Sequence, residues 1–230
     1  MLKQIAADLW TVEGPNITFA GAEMNTRMTV AKLSNGELWV HSPVSYTADT
    51  AAALAEIGGS VCALVAPNKF HYLYIAQWVA KHPDARVFAE RSLQAKVPSL
   101  GQADTLTNST PELYAQEIDQ VVFSGNRFFE EVVFFHKASR TLVFTDLMVN
   151  LRTDDMKLLP KLFLRLEGVV YPNGGVPNLF RWFTGEKYKA QAALAVIRRW
   201  APQQIILCHG EMFTEPAETI IDQQFGWLDS

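Results

Sequence analysis

Charge is scarce in this chain. Only 19% of its 230 residues are Asp, Glu, Lys or Arg, against roughly 25% in an ordinary soluble domain, while 49% are hydrophobic. That balance excludes a disordered chain, which needs little apolar mass and high net charge. The net charge is −4 and no run of Lys and Arg occurs, so the basic stripe that displaces counterions from nucleic acid is missing and no nucleic-acid partner is expected. Gly and Pro are scattered without period, which excludes collagen-like repeats. Every apolar stretch is broken by charge, Pro or Gly before the roughly 20 residues that a membrane span needs, so none is expected. G-x-S-x-G, P-loop and G-x-G-x-x-G patterns are missing too, which removes the usual hydrolase-elbow and nucleotide-loop readings. There are two cysteines, Cys62 and Cys208, both inside apolar runs. They read as buried free thiols. With no signal-peptide core in MLKQIAADLW, they predict a cytoplasmic location.

What is present is periodic. DLWTVEG and RMTVAKL read as strands, and Asn35-Gly36 predicts a two-residue turn into ELWVHS. An Ala-rich helix is expected over 47–57, capped by Thr47 and stopped by Gly58-Gly59. SVCALVA is a continuous apolar run of strand length, the pattern of a strand buried on both faces. A helix over 71–81, the strand ARVFA, and a short helix with a Thr- and Ser-rich loop over 91–115 follow. IDQVVFS is a strand, and EVVFFHKASRTLVFTD is a hairpin turning at 137–139. Asp154-Asp155 reads as a helix start, KLLPKLFLRL as a helix, and 168–183 as a Pro/Gly-rich loop carrying the aromatics Phe180, Trp182 and Phe183. Thr184 is expected to cap the helix ending at Trp200, before the strand QIILC and a last amphipathic helix. The strand at 204–208 has no sheet without the earlier half, so residues 1–230 are expected to form one domain of two mixed sheets covered by helices.

Open α/β folds place their sites at the C-terminal ends of buried strands. Three such ends carry suitable chemistry: Asn68, Lys69 and His71 after 60–66, Asp146 after 140–145, and His209-Gly210-Glu211 after 204–208. Two imidazoles and a carboxylate that converge would suit Zn²⁺ or Fe²⁺ with positions left open. Each residue also has an ordinary reading, since a His after a strand often bonds a helix end and Asp146 could cap the next segment. His136 is expected to be exposed, His41 to pack as a polar side chain, and His82 to act as a charge partner for a helix C-terminus. Cys208 and His209 are strand neighbours and point to opposite faces, which disfavours a Cys/His dyad. Of Glu130 and Glu131 only one can point inward; Glu131 shares parity with Val133 and Phe135 and is the preferred extra ligand.

LVAPNKFHYLYIAQWVAKHPDARVFA resembles the metallo-β-lactamase superfamily segment in which a strand ends in His-x-His-x-Asp-His and a helix follows. EEVVFFHKASRTLVFTDL is similar to its hairpin ending in a metal-bridging Asp, and IILCHGE to the strand ending in its final His ligand. The resemblance spans nearly the whole chain and implies an α/β (α+β) four-layer αββα sandwich with the site along one edge. It is that of a divergent branch with a degenerate ligand motif: Ala66, Asn68 and Phe70 occupy the His, His and Asp positions, and no His lies near Arg127.

The resemblance therefore implies at most one divalent metal, Zn or Fe, on His71, Asp146 and His209. Such a site could activate water against a small ester, thioester, amide or phosphoester. Asp146 would ligate the metal or orient the water, and Asn68 would donate to a developing oxyanion. Lys69 and Arg127 are candidate anchors for an anionic substrate, with plain surface placement the preferred reading of both. The expected partner is a small molecule, with a homodimer left open. The rival reading is a non-catalytic, metal-free protein of the same fold that binds a ligand or partner.

Overall fold

Alternating runs give way to continuous apolar runs along the chain, and the sheets follow that change. A computed structural model describes residues 1–19, 21–97, 100 and 103–229, the side chains of 94 and 95 excepted. The first half supplies β1 (Leu2–Ala6), β2 (Leu9–Glu13), a detached hairpin of β3 (Ile17–Phe19) and β4 (Ala22–Met24), β5 (Arg27–Lys32) and β6 (Leu38–His41). After α1 (Ala48–Ile57) come β7 (Val61–Ala66), α2 (Ile75–Lys81), β8 (Arg86–Ala89), α3 (Arg91–Lys96) and β9 (Asp104–Thr105). One sheet runs β1-β2-β5-β6-β7-β8-β9, antiparallel as far as β6 and parallel beyond it. The second holds β10 (Ile118–Phe123), β11 (Glu131–His136), β12 (Thr141–Phe144) and β13 (Gln204–Leu207), of which only β12 and β13 pair in parallel. The remaining helices are α4 (Leu158–Leu166), α5 (Asn178–Trp182), α6 (Lys187–Trp200) and α7 (Ala217–Phe225).

Alternation along β11 sets the layers. Val132 and Phe134 point at the first sheet and pack with Trp39, Val65 and Phe88. Val133 and Phe135 point the other way, toward Ala193 and Ile197 of α6 and Phe225 of α7. Beyond the first sheet, Val30, Val40 and Leu64 pack against Leu54 of α1 and Trp78 of α2. The order is helices, sheet, sheet, helices, which is the expected αββα sandwich. All six residues of β7 are buried, as a strand between two layers requires. Both cysteines are free and buried. Among the described residues no helix is long and apolar enough to cross a membrane.

Several local expectations need correction. The hairpin at Asn35-Gly36 exists, but its loop is longer than two residues. Gly36 N donates to Leu33 O, Leu33 N donates to Glu37 O, and only Gly36 takes positive φ, at 84°. That is a wider turn closed by a left-handed glycine rather than a two-residue type I′ turn. Thr47 does cap α1, its side chain accepting from Thr50 N in a reciprocal capping box. Thr184 does not cap α6, because its hydroxyl donates to Phe180 O and the helix starts at Lys187. Asp154-Asp155 lie in a turn, and α4 begins at Leu158 with no side-chain cap. β1, the β3–β4 hairpin and β9 went unread because two- to five-residue strands carry too little periodicity. Part of the irregular 91–115 stretch, at 98, 99, 101 and 102, lies outside the described residues.

His41 closes β6 inside the core with neither ring nitrogen hydrogen-bonded. Its ring stacks on Trp39 at 5.4 Å and meets Phe134 edge-on at 5.2 Å. Burial, and then the nearby His71, push its pKa well below the ordinary 6.5. The unfolded chain therefore binds this proton more readily, and stability is lost as pH falls through 6.5. His41→Phe keeps the aromatic contacts and removes that linkage. Urea unfolding at pH 7.5 and 5.0 should show a smaller acid-induced loss for the variant than for the wild type, and equal losses would contradict this assignment.

Candidate metal centre

Four strand ends meet at one edge of the sandwich, and the turns that follow them aim the side chains. β7 runs through Pro67 to Asn68, whose Oδ1 accepts from Phe70 N at 2.9 Å and His71 N at 3.1 Å. That side-chain turn over 68–71 brings His71 back over the sheet edge, and a further turn occupies 71–74, so α2 begins at Ile75 and not at His71 as expected. Ser42 follows β6, Asp146 follows β12 and His209 follows β13.

His71, Asp146 and His209 converge, with one ligand atom from each lying within 4.8 Å of the others. His71 Nε2 is 3.2 Å from Asp146 Oδ2 and 3.1 Å from His209 Nε2, and His209 Nε2 is 3.5 Å from Asp146 Oδ1. Tetrahedral bonds of 2.0–2.1 Å place ligand atoms about 3.3 Å apart, so the donor set and its spacing fit a divalent ion such as Zn²⁺. The outer nitrogens are held as well. His209 Nδ1 lies 2.6 Å from the Asn25 carbonyl. A carbonyl can only accept, so Nδ1 carries the proton and Nε2 of the neutral ring turns its lone pair to the centre. His71 Nδ1 is bonded to Ser42 Oγ, which leaves its Nε2 facing the same point.

Burial opposes charge at all three groups. It pushes His209 down and keeps that ring neutral. It pushes His71 down too, but the facing Asp146 carboxylate outweighs it and the net shift is upward. Burial would raise Asp146, yet His71, His209 and the Asn68 amide hold it at about 2. Without a metal, the Asp146 carboxylate therefore faces an imidazole that it favours in the protonated form, beside the neutral ring of His209.

The residues that hold these three side chains were mostly illegible in the sequence. Glu131 is fully buried, as parity required, but it is no ligand. Its Oε1 accepts from Thr145 N at 2.8 Å, and its Oε2 from Asp146 N at 2.8 Å, Leu147 N at 3.0 Å and Asn68 Nδ2 at 3.0 Å. Asn68 Nδ2 also reaches Thr145 Oγ1 and Asp146 Oδ2, both at 2.9 Å. Both amide hydrogens are thereby engaged, which removes Asn68 as a free oxyanion donor and makes it a positioning residue. Arg27, buried in β5, donates to Leu207 O and Gly210 O and so braces the His209 turn. Gly210 has φ 80°, and a Cβ there would stand 2.1 Å from Asn150 O, so only glycine fits after His209. An Arg at the start of a strand whose next four residues are buried was the available signal for Arg27; Ser42 and Asn25 gave none.

Other expected residues fall elsewhere. Arg127 is exposed and stacks over Phe128, which lines the cavity, without lining it itself. Lys69 reaches the cavity wall, with its ammonium bonded to Phe128 O. His136 is buried, not exposed, and bonds Ser139 Oγ. His82 sits at the C-terminus of α2, where burial lowers its pKa, so it is no charge partner for the helix. Phe180, Trp182 and Phe183 belong to the short helix α5 and its end rather than a loop, with Phe180 inward and Trp182 outward.

The three convergent residues line a cavity of about 460 Å³ whose other walls are largely apolar, among them Met24, Phe129, Phe163, Leu179 and Phe183.

The chain's fold is metallo-β-lactamase-like. A metallo-beta-lactamase from Pontibacter korlensis is 14% identical, with a TM-score of 0.63 over 100% of this chain and 99% of that one. The enzyme FIM-1 from Pseudomonas aeruginosa, solved in a mono-zinc form, is 11% identical, with a TM-score of 0.65 over 100% and 94%. A metallo-beta-lactamase from Hirschia baltica gives 11%, 0.65, 99% and 97%. Within that fold, the chain belongs to the DUF4336 family, described as a domain of unknown function, whose model matches residues 7–167. No curated protein matches the chain.

Glu131→Gln places an amide N–H₂ against at least one backbone N–H in either orientation. It should cost about 3 kcal/mol in urea unfolding. Glu130→Gln, only partly buried, should cost less than about 0.5 kcal/mol. A Glu131→Gln protein as stable as the wild type would sink the anchoring role.

Proposed function

We propose that this chain is a metal-dependent hydrolase with one divalent ion, Zn²⁺ or Fe²⁺, held by His71, Asp146 and His209. Its substrate would be a small ester, thioester, amide or phosphoester with an apolar body. The supporting observation is the convergence of two Nε2 lone-pair positions and a carboxylate at about the spacing of tetrahedral ligands, with the outer nitrogen of each ring already hydrogen-bonded. Residues 1–230 act in this reading as one cytoplasmic domain whose partner is the substrate.

A divalent ion bound there would supply Lewis acidity and lower the pKa of water. The chain's own residues do the rest. Asn68 and Glu131 fix Asp146, whose low pKa suits a ligand or orienting acceptor better than a proton-taking base. Apolar cavity walls exclude bulk water and select the substrate's apolar part.

A metal-free ligand-binding protein is the second reading. It is favoured by the fate of the other family positions: Ala66 is buried, Asn68 is committed to Glu131 and Asp146, and Phe70 stacks on Phe129. Metal analysis after purification without chelator separates the two. The hydrolase reading expects stoichiometric metal in the wild type and none in His71→Ala/His209→Ala. It also expects about 2.7 kcal/mol of stabilisation at free metal 100-fold above Kd, and an esterase or phosphodiesterase activity that the double variant lacks. Wild-type protein that takes up neither Zn²⁺ nor Fe²⁺ would overturn it in favour of the second reading.

A further inference from the structure

Helix α4 turns its apolar side chains away from the core. Leu164 is its one buried residue, whereas Leu158, Leu159 and Leu166 are 77%, 78% and 65% exposed. Scattered exposed leucines are ordinary; a contiguous patch is not. At helical spacing, Leu158, Leu162 and Leu166 form one row, with Leu159 and Phe163 beside it. Lys157, Lys161 and Arg165 form the row along the opposite flank, and none of them makes an ion pair among the described residues. The apolar surface does not stop at the helix: Phe163 reaches the cavity wall, Leu179 and Phe183 continue around it, and Trp182 stands 73% exposed nearby in sequence.

We propose that α4 is an interfacial anchor that lies on an anionic lipid surface, with its leucine row among the acyl chains and its basic row at the headgroups. The charge pattern selects this occupant. The chain as a whole is negative, so an anionic surface repels it, yet the border of this one apolar face is cationic. An apolar face flanked by Lys and Arg is the composition of helices that lie in the membrane interface. A symmetric second copy fits less well, because pairing the face with itself brings the two rows of Lys157, Lys161 and Arg165 into one interface. Docking by α4 would set the cavity wall lined by Phe163 close to the lipid, where apolar molecules partition. The anchor stands whether or not the centre holds a metal.

The test is sedimentation of the full chain with vesicles of phosphatidylcholine alone, and of phosphatidylcholine with phosphatidylglycerol, with analytical ultracentrifugation of the lipid-free protein alongside. The wild type should bind the anionic vesicles, bind the neutral ones weakly, and dissociate in 0.5 M salt. Lys157→Gln/Lys161→Gln/Arg165→Gln should lower partition to anionic vesicles by about 100-fold. Leu159→Ser/Leu162→Ser/Leu166→Ser, at exposed positions, should remove binding while the circular dichroism spectrum stays that of the wild type. Absence of wild-type binding to either vesicle overturns the proposal, as does undiminished binding by the leucine variant. So does a lipid-free dimer that the leucine variant splits while vesicles capture neither protein; in that case the face belongs to a second copy.

Discussion

The half of the site edge that carries His71 and Asp146 depends on one buried carboxylate. Glu131 begins β11, yet its oxygens receive three consecutive backbone N–H groups from the turn after β12 and the amide of Asn68 after β7. Three strand ends from two different sheets are thereby joined by charge-assisted bonds away from water, where such bonds are strongest. Burial and the neighbouring Asp146 push the Glu131 carboxyl up, while the N–H donors pull it back toward the ionised form. The anchor persists because so many donors converge on it.

From that anchor the geometry passes outward by hydrogen bonds. Asn68 is held by Glu131 on its amide side, and its carbonyl shapes the turn that presents His71. Asp146 is held by its own N–H on Glu131 and by Asn68 on its carboxylate. His209 is aimed from the opposite direction by Asn25, Arg27 and the left-handed Gly210. Each of the three convergent side chains is thus held by hydrogen bonds from the surrounding strand ends.

Much of the fold was legible because long buried strands and capped helices leave strong patterns. VCALVA had no polar face, and Thr47 preceded an Ala-rich helix with a glycine stop. The three residues of the centre were legible by position, each a polar group just past a buried strand. Their supports were not. Glu131 read as a further ligand, because parity says which way a side chain points and nothing of what it meets there. Asn68 read as a free donor for the same reason. His136 was misread because exposure beside a turn depends on what packs over it.

Composition and periodicity alone determined two mixed sheets covered by helices, the scarcity of imidazole and the strand ends that could carry chemistry, while the four-layer order was implied by the family resemblance of the strand-end motifs. Those are properties of residues close together along the chain, where spacing translates directly into direction. Only the tertiary structure decided that His71, Asp146 and His209 meet, that Glu131 and Asn68 serve as props, and that the leucines of α4 face outward. Each of those depends on contacts between segments tens of residues apart, set by how two sheets and their helices close on one another, and no local pattern encodes such a contact.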